Sequence, residues 1–392
     1  MILEKTFIKK LFRDVDNISF KVKFKDNKEM DFGQKEPEFT VFVNEPLDKR
    51  ALMRSTSLAL GESYMDKVLD VEGDLFKALD IVLSKMDEFT VDQNSLKSIL
   101  FTSNSAKNQK EEVSSHYDIG NDFYKLWLDD TMNYSCAYFK SEDKSLYEAQ
   151  CDKVDYIIDK LHLEEGMSLL DVGCGWGGLL IAAAKKYKIH GLGITLSQEQ
   201  YDEFKERIKK EGLEDYLDVK LMDYREFKKS NLSFDRVVSV GMIEHVGREN
   251  YDLFLENIDH VLKKKGILLL HFISGRKESL GDPWIRKYIF PGGVIPSLRE
   301  VISKGSEKNF YTVDIESLRR HYVKTLLCWY ENFNKEVDTI SKMFDERFIR
   351  MWKLYLASCA AGFNNGVVDL HQIIFSKGVN NDLSMTRDYL YR

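Results

Sequence analysis

Residues 169–178 read Leu-Leu-Asp-Val-Gly-Cys-Gly-Trp-Gly-Gly, an apolar run that breaks into glycines at 173, 175 and 177. Gly173, Gly175 and Gly177 let a backbone turn tightly and approach a ligand closely, and Asp171 sets a carboxylate just ahead of that turn. Dinucleotide enzymes share this fingerprint, so alone it specifies a crevice and not a reaction. Cys174, inside the motif, reads as a small packing residue. Asp223, followed by Tyr224 and Arg225, ends a later apolar run, where a carboxylate in an alternating α/β chain faces the ligand crevice. Glu244 and His245 follow the next run directly. That location suits a ligand-facing acid or base, although Glu244 could cap a turn and His245 could be a satisfied buried histidine. His271 interrupts an otherwise apolar strand, where a lone histidine is usually structural. Cys136 has no neighbouring cation in sequence to lower its pKa, so it reads as a weak hydrogen-bond partner and not a nucleophile.

These groups need a scaffold. From Ser145 the chain alternates helical and strand patterns, with short apolar runs at 168–172, 189–194, 219–222, 234–240 and 267–273. Alternation of this kind predicts a doubly wound, mostly parallel sheet with crossover helices. Ser145 and Glu148 form a capping box ahead of a helix whose face carries Cys151, Val154, Ile157, Ile158 and Leu161. Ser197 and Gln200 fit another box. After Gly275 the pattern changes. Residues 281–296, rich in Gly, Pro and aromatics, look like a lid. Two long helices are expected at about 315–344 and 346–364, then a last strand at about 370–375 that closes the sheet.

A chain of 392 residues suits two domains. The division expected is a small N-terminal α/β domain over residues 1–101, a polar linker at 102–115 and a catalytic domain over 116–392. In the first domain Phe39–Val43 is strand-like and Leu75–Ser84 helix-like. The opening segment sets Leu3, Phe7, Ile8, Leu11 and Phe12 on one helical face flanked by lysines, which suits packing on its own domain or a membrane surface. Hydrophobic residues make up 43% and charged residues 31%, the balance of a soluble globular protein. No apolar run suits a spanning helix and the start lacks a signal-peptide pattern, so a cytoplasmic location is expected. The five cysteines form no CxxC pair, which supports neither a disulfide framework nor a zinc site. A net charge of −7 argues against a nucleic-acid partner.

Longer motifs are more specific. His116-Tyr-Asp-Ile-Gly-Asn-Asp-Phe-Tyr124, Tyr134-Ser-Cys-Ala-Tyr138, Val240-Gly-Met-Ile-Glu-His-Val-Gly247, Leu270-His-Phe-Ile273 and Trp329-Tyr-Glu-Asn-Phe333 are all unusual. Together with the glycine turn they resemble the cyclopropane-fatty-acid synthases and mycolic acid cyclopropane synthases, over most of residues 113–376. NAD enzymes and most methyltransferases carry Asp or Glu for the ribose where this chain has neutral Thr195, which weakens a generic NAD reading. No Asp-Pro-Pro-Tyr-type motif follows the fourth strand, which argues against a nucleic-acid amino-methyltransferase.

The resemblance implies a Rossmann-like class I S-adenosylmethionine methyltransferase domain with inserted helices and a lid, plus the N-terminal domain of the bacterial phospholipid enzymes. It implies transfer of a methylene group from S-adenosylmethionine to the cis double bond of an unsaturated phospholipid acyl chain, through a carbocation, with bicarbonate as proton acceptor. It further implies a homodimer in peripheral contact with the inner face of the membrane, and no metal. Tyr134, Ser135, Gly173, Gly175, Thr195, Leu196, Gln200, Tyr224 and Arg225 match cofactor contacts, with Asp171, Cys174, Gly177 and Asp223 in the same motifs. Cys136, Glu244, His271 and Tyr330, with the backbone at Ile273, match groups that hold bicarbonate. Cys359 matches a cysteine proposed as catalytic. Such chemistry calls for a dry aromatic wall, and Tyr134, Tyr138, Trp284, Phe290, Tyr330 and Phe363 are candidates, though each singly is more often core packing. The competing expectations are a lipid methyltransferase that leaves a methyl branch and a non-catalytic lipid-binding relative.

Overall fold

The computed structural model describes residues 2–12, 18–85 and 119–390. The expected linker, and residues 116–118 of the motif that begins at His116, lie outside the described residues. Two compact units form, and each is discontinuous in sequence. The first comprises Met1–Gln93, Asp282–Ile289 and Leu326–Gly366; the second comprises Asn94–Gly281, Phe290–Thr325 and Val367–Arg392.

In the first unit, β1 (Phe20–Phe24), β2 (Glu29–Phe32), β3 (Phe39–Val43) and β4 (Leu69–Gly73) form a sheet in the order β2-β1-β3-β4. Strand alternation decides the faces: Phe20, Val22 and Phe24 point inward and Lys21 and Lys23 outward. Phe20 stacks between Phe32 and Phe39 at 4.8 and 5.0 Å. Phe12 and Ile8 join this core, so the opening helix Ile2–Leu11 packs on its own unit. The helices Leu75–Ser84 and Glu346–Asn364 stand where expected and pack on each other.

Part of the expected lid is a short helix, Pro283–Tyr288, capped by Asp282. Its Trp284 is buried against the helix Thr56–Met65, where Gly61 leaves room for the indole. A Cβ at Gly61 would lie 2.3 Å from that ring, and the indole N–H points at Met65 Sδ at 3.3 Å. Trp284 is therefore a core residue of the first unit.

The second unit holds β5 (Ser168–Val172), β6 (His190–Thr195), β7 (Leu217–Leu221), β8 (Phe234–Val240), β9 (Leu262–Gly275), β10 (Phe310–Ser317) and β11 (Val368–Lys377). Their order is β10-β11-β9-β8-β5-β6-β7. The run from β9 to β7 is parallel and the last two strands are antiparallel. Strand order reverses at β5, which leaves a crevice at the carboxyl ends of β5 and β8. The helices Gly178–Tyr187, Gln198–Lys210 and Tyr251–Val261 supply crossovers, the helix Leu146–Lys160 precedes β5, and the Ser145–Glu148 capping box is present.

Three expectations are corrected. Residues 315–317 belong to β10, not to a helix; the helix that follows runs Arg319–Lys335, and a separate turn of helix covers Val337–Ile340. β11 does not close the sheet but lies between β9 and β10. Both differences have one cause: Ile315 pairs with Ile373, a partner invisible to any local pattern. The Ser197–Gln200 box is only half formed. Ser197 Oγ accepts from the Gln200 N–H, but the Gln200 side chain accepts from the Thr195 hydroxyl. Among the described residues no helix is long and apolar enough to cross a membrane.

Candidate active site

The glycine turn leaves β5 and is tied to β6, because Gly173 N–H and Cys174 N–H both donate to the Ile194 carbonyl at 3.0 Å. Gly173, Gly175 and Gly177 all have positive φ, at 84°, 53° and 79°. Their side-chain positions differ. A Cβ on Gly175 would meet nothing within 4 Å, whereas one on Gly177 would fall 2.0 Å from the Phe204 ring. Gly175 thus borders a cleft, and Gly177 permits close packing of turn and helix.

The structure brings Tyr134, Ser135, Asp171, Gly173, Cys174, Gly175, Thr195, Leu196, Gln200, Asp223 and Tyr224 together on the wall of this cleft. Gly177 and Arg225 are not on its wall. Asp223 caps the turn Tyr224–Lys229 reciprocally with Glu226 and pairs with Arg225 at 2.9 Å. Thr195 donates to Gln200 Oε1 at 2.8 Å and accepts from the Ser197 N–H, which fixes the rim beside β6. Cys174 is a packed thiol that burial holds well above its usual range.

The sequence reading missed Lys153, Asn133, Trp176, Met222 and Met242 on this wall, and gave His245, which also lines it, only divided weight. Lys153 comes from the helix Leu146–Lys160 and is buried, with Nζ donating to Ser135 Oγ at 2.9 Å. Burial lowers its pKa to about 8. Gln150, one turn earlier, donates to the carbonyls of Asn133 and Ser135. A polar line at residues 150, 153 and 160 beside the apolar stripe was the available signal. Gln150 and Lys153 hold the stretch Asn133–Ser135 at the cleft wall. Tyr134 is set there by ring contacts with Tyr124 and Trp127 at 5.5 and 5.3 Å.

Asp171 is the buried acid of the cleft. Burial raises its pKa to about 7, and Oδ1 has no hydrogen-bond partner among the described residues. An orphaned buried carboxylate oxygen is costly, by about 1–3 kcal/mol. It fits a ligand that carries positive charge.

A second centre lies at the ends of β8 and β9. Glu244 is on a turn just after β8; its Oε1 accepts the Ile273 N–H at 2.7 Å and its carbonyl accepts the Val294 N–H. Oε2 is buried with no hydrogen-bond partner among the described residues, and burial raises the carboxyl pKa to about 7. His271, two residues before Ile273, stands opposite Val240 of β8 and Gln372 of β11. Its Nδ1 is 3.0 Å from Gln372 Nε2, and its Nε2 is buried without a hydrogen-bond partner among the described residues. Burial, then the charges of Lys153 and Lys160, hold its pKa well below the usual range. His245 is also neutral at physiological pH, since burial lowers it to about 4.

Cys136 is fully buried, and its thiol points at the carbonyls of Ala137 and Leu318 at 3.2 and 3.9 Å. Leu318 N–H donates to the Leu370 carbonyl, and Leu370 pairs with Ile273, so Cys136, Glu244 and His271 converge on one stretch of β9 and β11. Burial pushes the Cys136 thiol far up, which leaves it neutral. Tyr330 and Cys359 are half-buried residues of the first unit, on the helices Arg319–Lys335 and Glu346–Asn364. Burial raises the Tyr330 phenol and pushes the Cys359 thiol up to about 12.

A doubly wound sheet, a glycine turn on its switch point and a cleft suited to a cationic ligand define a class I S-adenosylmethionine-dependent methyltransferase. The family model for mycolic acid cyclopropane synthetase matches residues 104–373, and a model for a domain of unknown function matches residues 7–94. The chain belongs to the mycolic acid cyclopropane synthetase family. It is 40% identical to the cyclopropane-fatty-acyl-phospholipid synthase of Escherichia coli, over 88% of this chain and 90% of that one. It is 37% identical to a probable fatty acid methyltransferase of Pseudomonas putida, over 96% of this chain and 97% of that one. A crystal structure of mycolic acid cyclopropane synthase CmaA1 complexed with SAH and CTAB superposes with a TM-score of 0.64 at 34% identity, covering 68% of this chain and 98% of that one.

Proposed function

We propose that this protein is a cyclopropane-fatty-acyl-phospholipid synthase, which bridges the cis double bond of an unsaturated phospholipid acyl chain with a methylene group. The observation that carries the reading is the pair of buried, unpartnered polar atoms, Glu244 Oε2 and His271 Nε2, at the strand ends beside the cleft. Family membership supports it, as do relatives that act on acyl chains by name.

S-adenosylmethionine, when bound, supplies an electrophilic methyl group. Asp171, Thr195, Gln200 and the open face of Gly175 would hold it. The alkene π pair forms a bond to the methyl carbon as the carbon–sulfur bond breaks, and a carbocation remains at the other alkene carbon. Loss of a proton from the new methyl then frees the C–H pair to close the ring. Bicarbonate, when bound, supplies a proton acceptor that is not tethered to the chain. Glu244 and His271 would hold it: the unpartnered Oε2 would act as a hydrogen-bond acceptor and the imidazole as a donor towards the ion. A carboxylate facing the cation directly would risk capture as an ester, so Glu244 acts by orienting the acceptor.

The test is the isotope content of the product. With a trideuterated methyl donor and vesicles of unsaturated phospholipid, the product carries a CD2 ring carbon. A CD3 branch in the product would sink the cyclopropane reading and leave a lipid methyltransferase.

Cys359 is not a nucleophile in this chemistry, because the alkene itself accepts the methyl. A thiol with a pKa of about 12 is protonated at neutral pH. Cys359→Ser is expected to keep turnover within about threefold of the native value. Complete loss in a folded, donor-binding variant would count against the alkene as direct acceptor.

A further inference from the structure

Four side chains from four elements of the second unit form an unbroken polar line that ends at His271. Lys160 closes the helix Leu146–Lys160 and is fully buried. Its Nζ contacts Glu316 Oε2 of β10 at 2.5 Å and Gln372 Oε1 of β11 at 2.7 Å, and it lies 4.1 Å from the centre of the Tyr156 ring. Gln372 is also fully buried, and its Nε2 is 3.0 Å from His271 Nδ1.

The direction of each bond along this line is determined by chemistry. An ammonium has only donors, so the carboxamide atom facing Lys160 must be the oxygen. Reversing the amide would set NH2 against NH3+. The Gln372 NH2 is therefore left to face His271, and it can only donate. Nδ1 must then carry a lone pair, because an N–H there would oppose the amide N–H. A neutral imidazole with a bare Nδ1 has its proton on Nε2. The positive charges nearest the ring, on Lys153 and Lys160, together with burial, disfavour a second proton. The line thus turns the buried, unpartnered Nε2 into a hydrogen-bond donor.

We propose that Gln372, oriented by Lys160 and Glu316, is a positioning residue that locks His271 in its neutral Nε2–H tautomer, so that the ring donates a hydrogen bond to an anionic oxygen during turnover. This rests on the reading above that His271 serves the reacting centre. Anchoring matters because a free glutamine could rotate its amide and offer Nδ1 an acceptor. Lys160 disfavours that rotation; burial lowers the Lys160 pKa, and Glu316 opposes that shift and holds the ammonium in place. A lysine buried only for packing would need no amide directed at a histidine.

The decisive measurement is the tautomer, read by two-bond nitrogen–proton correlation NMR on native protein labelled at histidine nitrogens, with His271 assigned by its loss in His271→Gln. His271 is expected to show a bare Nδ1 and a protonated Nε2, unchanged between about pH 6 and about pH 9. A protonated Nδ1 in the native protein would overturn the proposal. Gln372→Glu keeps the shape and reverses the bond, since a carboxylate accepts from both Lys160 and Nδ1–H. At about pH 8.5, where the ring is neutral, the proton is expected on Nδ1 and turnover at saturating donor is expected to fall at least about tenfold, with KM for S-adenosylmethionine changed less than about threefold. A neutral ring with bare Nε2 and native turnover would also overturn it. Failure of the underlying reading is distinguishable: His271→Gln with native turnover would remove His271 from the reacting centre, while the tautomer spectrum of the native protein would be unaffected.

Discussion

Glu244→Gln is expected to lower turnover on unsaturated phospholipid by about a hundredfold or more, a loss typical of a displaced acid–base group, while S-adenosylmethionine affinity stays within about threefold. The substitution is nearly isosteric. The Gln carbonyl can still accept the Ile273 N–H that Oε1 now takes at 2.7 Å, so the turn after β8 keeps its anchor. What changes is the other arm, where an NH2 replaces the unpartnered Oε2 acceptor. That arm must accept a hydrogen bond in the proposed chemistry, and an amide nitrogen cannot. The donor cleft is served by other residues, so binding and chemistry should separate. Native turnover in the variant, or an equal loss of donor affinity, would refute the assignment.

The same residue predicts a pH dependence. Burial lifts the Glu244 carboxyl from 4.5 to about 7, so it is neutral below that pH and an acceptor above it. Turnover at saturating donor is expected to rise with pH through about 7, and this limb should weaken in Glu244→Gln to what Asp171, also raised to about 7 in the donor cleft, contributes. His245 does not produce it, being held at about 4, and Tyr251 near the carboxyl titrates far above it. Stability runs the opposite way. The folded chain holds a proton here that the unfolded chain has released between 4.5 and about 7. This group therefore favours the fold at acid pH, and its contribution is lost as pH rises through about 7.

Gly175→Val is expected to abolish measurable S-adenosylmethionine binding, a loss of more than about a hundredfold, in a protein that remains folded. The cost to the fold is the left-handed backbone at φ 53°, about 1–2 kcal/mol for a residue with a Cβ, and not a clash, since the new Cβ meets no protein atom within 4 Å. The side chain would instead occupy the cleft. Calorimetry for affinity and near-ultraviolet circular dichroism for packing check the two halves. The neighbouring Gly177→Val gives the contrast, because its Cβ would fall 2.0 Å from the Phe204 ring and should disrupt the packing itself. Unchanged affinity in Gly175→Val would show that the ligand does not approach this turn.

Local signals determined a good deal. Short apolar runs located β5 to β9, and period-3.6 patterns located the helices between β5, β6 and β7 and between β8 and β9, and the helix Glu346–Asn364, because each is read from residues near in sequence. The glycine turn, Glu244 and His271 were legible as candidate site residues since strand ends in an alternating chain face a crevice. The longer motifs pointed to the family that the comparisons show.

Tertiary structure alone decided the rest. The end of β10 overlapped the start of an expected helix, and β11 moved from the edge to the interior, because strand pairing is a contact between distant segments. Trp284 left the lid for a pocket over Gly61, whose missing Cβ makes that fit possible. Nor does sequence tell that Lys153 and Lys160, charged residues on an amphipathic helix, are buried and turned to Ser135 and Gln372. A lysine is buried only where a partner satisfies it, and here the hydrogen-bond partners Ser135, Glu316 and Gln372 all lie outside the helix that carries the lysines. The electrostatics of the site, including the raised carboxyls of Asp171 and Glu244 and the neutral ring of His271, follow from that burial and from no motif.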